Sequence, residues 1–152
     1  MGKRLLGIVC LFAVCLTLFS CGKNISTLEL ATDVSRHFDF KYGAVYSDEY
    51  GEWHEFCFSN EIYIKVFGEN AGKYTYIKSV SGYFSRDMIS GSEFVAVELN
   101  DRSHRAEIMA LLYRRASMRS DTDARVFCEG NFVFLVCDAN AEEISRYIKS
   151  KI

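Results

Sequence analysis

"ARVFCEGNFVFLVCD", residues 124–138, decides how this chain is read. Two runs rich in aromatic and β-branched residues flank Glu129-Gly130-Asn131, and a Gly-Asn pair between such runs is a hairpin signal. A two-residue turn at Gly130-Asn131 sets Glu129 opposite Phe132, Cys128 opposite Val133 and Ala124 opposite Cys137. Side chains alternate along a strand. Phe127, Phe132, Phe134 and Val136 therefore project one way, and Val126, Cys128, Val133, Leu135 and Cys137 the other. A strand with one wet face alternates apolar with polar residues. This hairpin is apolar on both, so both faces need cover. The expectation is that the two C-terminal helices cover one. The other is left to residues 27–70, a second subunit or a protein partner.

Working outward, Glu93–Leu99 ("EFVAVEL") and the aromatic run Tyr74–Tyr83 read as strands. Phe84–Ser92 reads as a loop, and Asp121–Asp123 as a turn. A helix from about Arg102 to Arg119 turns Ile108, Met109, Leu112, Tyr113 and Ala116 inward. Asn140 with Glu143 forms a capping box for a last helix ending near Lys149, with Ile144, Tyr147 and Ile148 inward. Thr27–Phe38 carries a helical apolar stripe, and Phe40–Trp53 reads as irregular. Ser59–Gly68 alternates well enough for a strand. It is read as a short helix capped by Ser59 and stopped by Gly68. Strand, strand, helix thus occurs twice. The expected fold class is α+β: a four-stranded antiparallel sheet in a strand-strand-helix repeat, helices packed on one face, preceded by an N-terminal signal helix.

The chain starts Met1-Gly2-Lys3-Arg4 and continues with an uncharged, mostly apolar run, Leu5–Phe19. That run is short for a spanning helix, which needs about 20 apolar residues, and it has the form of a signal peptide. Leu18-Phe19-Ser20-Cys21 resembles the lipobox of bacterial lipoproteins, which implies cleavage between Ser20 and Cys21 and lipidation of Cys21. The expected organisation is a signal peptide (1–20), a lipidated tether (21–26) and one α+β domain (27–152). The expected location is the cell membrane, lipid-anchored on its extracytoplasmic side.

The 152 residues carry a net charge of −2, and the signal holds two of the cations. No basic face invites nucleic acid. Beyond the signal and Cys21, the cysteines are Cys57, Cys128 and Cys137. An odd set argues against a disulfide framework. Cys128 and Cys137 share a face but lie four rungs apart, about 13 Å. All three are read mainly as small core residues, with a bridge from Cys57 to one of the others left open.

"EFVAVELND" leading into a helix with Arg114-Arg115, and "EGNFVFLVCD" leading into a terminal helix, add to the lipobox. Together they resemble the small lipoproteins of Gram-positive bacteria that carry a C-terminal domain of unknown function. The resemblance covers roughly residues 59–150. It implies a location and a fold pattern and no activity.

Chemistry-bearing residues are sparse. His54 and Cys57 are the one close His/Cys pair, but no zinc spacing accompanies them, and on a strand they would face opposite ways. Ser90 and Ser92 lack the nucleophile-elbow spacing, and Asp33 with His37 reads as a surface pair. No catalytic residue, metal site or cofactor is expected. Glu98 is expected to pair with Arg114 or Arg115. "DEYGEW", residues 48–53, sets carboxylates among aromatics, so Tyr46, Tyr50 and Trp53 form a candidate binding loop. The reading is a non-enzymatic binding or accessory module of the cell envelope, meeting a protein partner or a second copy through a sheet face. The alternatives are an enzyme acting on an envelope component and a self-associating structural lipoprotein.

Overall fold

A computed structural model of the chain describes residues 25–69, 72, 74–86, 91–119 and 123–152. The expected signal peptide, Ser20, Cys21 and most of the tether lie outside them, as do Ser90 and residues 121–122 of the expected turn. Five strands form one antiparallel sheet: β1 (Gly43–Ser47), β2 (Ile77–Ser85), β3 (Glu93–Leu99), β4 (Ala124–Glu129) and β5 (Phe132–Cys137), in the order β1-β2-β3-β5-β4. The described helices are α1 (Thr27–His37), α2 (Asn60–Phe67), α3 (Arg105–Ser117), entered through a 3₁₀ turn at Arg102–His104, and α4 (Ala141–Lys149).

The hairpin has the register its turn dictates, with Ala124 opposite Cys137, Cys128 opposite Val133 and Glu129 opposite Phe132. Gly130 takes φ +56°, which a two-residue turn requires and a glycine adopts without penalty. Cys57, Cys128 and Cys137 are free thiols.

Two expectations are corrected. The sheet has a fifth strand, β1, within the stretch read as irregular. It is short and lies at the sheet edge, paired with β2 from Gly43–Ser85 to Ser47–Ser81. The helices cover both faces rather than one. Val95, Val97, Val133 and Leu135 pack beneath α2 and α3 with Val66, Phe67, Ile108 and Leu112. Phe94, Phe134 and Val136 pack beneath α1 and α4 with Leu30, Val34, Ile144 and Ile148. The cause is the connection. β3 and β4 run parallel with β5 between them, so α3 is a crossover whose handedness confines it to one face. α4 leaves β5 and folds onto the other. Helical periodicity says which side of a helix is buried, not which side of the sheet it covers.

Smaller corrections follow from local bonding. Tyr113 is 54% exposed, and its hydroxyl donates to the Val126 carbonyl on the edge strand at 3.3 Å. Asn140 forms no capping box. Instead Asp138 Oδ1 accepts from Asn140 N at 2.8 Å and its carbonyl accepts from Ala141 N at 3.0 Å, an Asx-type turn that starts α4. The capping box belongs to α1, where Ser26 Oγ accepts from Glu29 N and Glu29 accepts from Ser26 N. Thr27, Ser47 and Ser81 are fully buried and share a hydroxyl chain, 2.9 and 2.7 Å, that docks this helix start on β1 and β2.

α2 begins and ends as its sequence indicates. Ser59 Oγ accepts from Ile62 N, and Gly68 closes the helix at φ 89°, ψ 179°. That region is nearly exclusive to glycine. A Cβ there would also sit 2.5 Å from Arg114 Nη2, which donates to the Phe67 carbonyl at 2.7 Å. Gly68→Ala is therefore expected to destabilise by about 1–3 kcal/mol. Gly51→Ala, where a Cβ meets nothing within 4 Å, is the control in the same urea titration.

Candidate functional site

The loop after β1 is fastened at its start. Both Asp48 carboxylate oxygens accept from Val80 N at 3.0 Å, and burial raises this carboxyl above its ordinary pKa. Glu49 Oε1 accepts from Leu28 N at 3.0 Å and Thr27 Oγ1 at 3.1 Å, occupying the open N–H end of α1. The candidate aromatics then diverge. Tyr46 projects from β1 and packs edge-on against Phe56 at 5.6 Å and Phe84 at 5.9 Å. Tyr50 stacks on His54 at 4.2 Å. Trp53 stands 99% exposed. The three do not form one stacking platform.

His54 sits at a bend and Cys57 in an isolated bridge rather than together on one strand, which removes the alternation argument made for them. His54 Nδ1 accepts from Phe56 N at 3.1 Å, and Cys57 makes a bridge to Ser47. Asp33 and His37 meet through Tyr147. Its hydroxyl donates to Asp33 Oδ2 at 2.9 Å, and its ring stacks on His37 at 4.1 Å. Although burial acts upward on Asp33, Lys151 and Tyr147 outweigh it and hold the carboxyl below its usual value. This cluster joins α1 to α4. Among the described residues no group of three or more His, Cys, Asp or Glu side chains is placed to hold a metal ion.

The charged centre of the molecule is one that sequence reasoning missed. Glu93 is fully buried. Arg115 grips it through two bonds, Nε to Oε1 at 2.9 Å and Nη2 to Oε2 at 2.8 Å. Arg119 Nη1 adds a third to Oε2 at 3.1 Å, and its Nη2 donates to the Gly91 carbonyl. The Glu93 hydrogen bonds raise the Arg115 pKa against the opposing effect of burial. Glu98, the expected partner, pairs instead with Lys78 at 2.8 Å. Strand parity explains the exchange: Glu93 shares the face of Val95 and Val97, over which α3 lies, whereas Glu98 faces the other way. Arg119, two residues beyond the end of α3, reaches the same carboxylate, while Arg114 caps α2. That parity was the available signal. Cys137, directly across from Glu93, is pushed up to about 12 by burial and then by the Glu93 charge, so its thiol stays protonated and inert at neutral pH.

Two clefts open beside this centre, of about 610 and 450 Å³, and Tyr46 and Ile62 line both. The first continues to His54, Glu55 and Tyr63. The second continues to Phe84, Arg86, Glu93, Arg115 and Arg119. They adjoin at Tyr46 and Ile62, and together make up the groove between β1 and α2, with an acidic, aromatic cleft on one side of that pair and a cationic one on the other. Such volumes suit small ligands. The arrangement can bind and orient a molecule. His54 and Cys57 both line the first cleft, and the Nδ1 of His54 is taken by Phe56 N. Among the described residues no helix is long and apolar enough to cross a membrane. No family model, curated protein or solved structure matches the chain.

Proposed function

We propose that this protein is a lipid-anchored binding or accessory module of the bacterial cell envelope, held on the extracytoplasmic side of the membrane through Cys21, and that it binds in the groove lined by Tyr46 and Ile62. The observation that carries this reading is the closure of both sheet faces by the chain's own helices. Among the described residues a partner or second copy then meets no open apolar sheet face, and the groove is a concave surface that the helices leave accessible. The lipobox-like Leu18–Cys21 and the resemblance to Gram-positive lipoproteins support the anchor. Cys21 lies six residues before Thr27, a span of at most about 20 Å. The domain therefore rides close to the bilayer, with α1 and the Trp53 loop at its tethered end.

The test is to extract the protein from its own membranes for native mass spectrometry. Wild type is expected to carry a bound species that Ile62→Asp loses, and Cys21→Ala is expected to leave the membrane fraction. Identical spectra for wild type and Ile62→Asp would contradict binding in the groove. A Cys21→Ala protein that stays in the membrane would contradict the anchor.

A further inference from the structure

We infer that the Arg115/Arg119 end of the groove is a binding site for a small organic anion, a carboxylate or phosphate monoester joined to an apolar or aromatic group. This rests on the groove being the binding surface. Lys65, Arg86, Arg115 and Arg119 line this cleft, and Glu93 is the one carboxylate among its described lining residues. Lys65 is paired with Glu61 at 2.8 Å, which leaves Arg86, Arg115 and Arg119 against Glu93, a net positive cleft in a chain whose net charge is −2.

Glu93 neutralises one guanidinium, not two. Its oxygens take Arg115 Nε and Nη2 and Arg119 Nη1, which leaves Arg115 Nη1 without a hydrogen bond among the described residues. Arg119 is only 10% exposed and Arg115 20%. Charges this buried are weakly screened and worth more to a ligand than surface charges. Glu93 also fixes the Arg115 plane through two parallel bonds, so the donors are oriented before a ligand arrives. Opposite them, Tyr46, Ile62 and Phe84 supply an apolar wall. An oriented cationic floor with an aromatic and aliphatic wall fits an anion that carries an apolar group, better than a bare ion or a sugar.

The position of the cleft favours a dissolved ligand over a headgroup of the supporting bilayer. α1 begins against Ser79 and Ser81 of β2. The cleft reaches Ser85 and Arg86 at the far end of that strand, about 20 Å from Ser79 at 3.3 Å per residue.

Isothermal titration of the full-length protein in phosphatidylcholine nanodiscs tests this with five probes: phenyl phosphate, phenylacetate, inorganic phosphate, neutral benzyl alcohol and phosphatidylglycerol vesicles. The aromatic anions are expected to bind, and benzyl alcohol and inorganic phosphate to bind at least tenfold more weakly, roughly the loss of one charge-assisted contact or of the apolar wall. Arg86→Gln, at an exposed position, is expected to weaken phenyl phosphate by about threefold to tenfold without unfolding. Arg115→Lys, which keeps the charge but not the fork, is expected to weaken it as well. Equal binding of benzyl alcohol, sensitive to Ile62→Asp, would overturn the anion assignment while leaving the groove as the binding surface. Binding of vesicles alone would overturn it in favour of a lipid headgroup. Binding by no probe, or binding indifferent to both arginine variants, would also overturn it.

Discussion

Glu93→Gln is expected to lower the unfolding free energy by about 3–5 kcal/mol, the usual cost of removing one partner from a buried ion pair. Glu93 is fully buried, and three guanidinium hydrogen bonds end on it. The amide keeps the shape and removes the charge, so Arg115 and Arg119 are left facing each other in a site that hydrates them poorly. Urea denaturation should show a lower midpoint with an unchanged m-value. Glu98→Gln is the internal comparison. Its partner Lys78 is 58% exposed, and exposed pairs contribute about 1 kcal/mol at most. Equal losses from the two changes would mean that the buried cluster does not exist. Leu at all three positions, Glu93, Arg115 and Arg119, should recover most of the stability lost by Glu93→Gln, because the penalty lies in the orphaned charges. It should also abolish anion binding. That outcome would separate a functional reason for the second arginine from a structural one, since one arginine suffices to neutralise Glu93.

Phe134→Ala is expected to cost about 3–5 kcal/mol, as for a large aromatic cut from a closed core. Phe134 is fully buried at the centre of β5. Its ring lies 5.0 Å from Phe127, 5.8 Å from Phe132 and 6.1 Å from Phe94, in a row crossing three strands. α1 and α4 close over that row. Leu135→Ala, pointing to the opposite core, should cost about 2–5 kcal/mol. The pair tests the two-sided architecture. Were the phenylalanine face open to water or reserved for a partner, Phe134→Ala would cost under about 1 kcal/mol in the isolated protein while Leu135→Ala stayed severe.

The parts legible in the sequence are those set by short-range rules. Gly130-Asn131 specified the hairpin register to the residue. Ser59 and Gly68 bracketed α2, and "EFVAVEL" marked β3. The alternation of "FVFLVC" also showed that both faces of β5 are buried. What was not legible depends on long-range placement. β1 is five residues of half-buried edge strand among tyrosines and carboxylates, and its pairing with β2 spans some forty residues of chain. The assignment of α3 and α4 to opposite faces follows from strand order, which no local pattern encodes. Of the aromatic loop, Tyr46 alone lines the groove's cationic cleft, while Tyr50 lines neither cleft and Trp53 faces solvent. The Arg115/Arg119 floor was hidden because Glu98 sits nearer to α3 in sequence than Glu93 does. Only the parity of β3 distinguishes them.

The most direct test of the groove as the binding surface is photo-crosslinking in living cells, with a photoreactive residue placed at Ile62 in one strain and at Tyr113 in another. Ile62 borders both clefts, and Tyr113 lies on the outer side of α3 over the β4 edge. A single recurring adduct at Ile62, absent at Tyr113 and lost on Arg119→Gln, is the expected result. The same adducts at both positions, or adducts at Tyr113 alone, would contradict the account and move the interaction to the sheet edge.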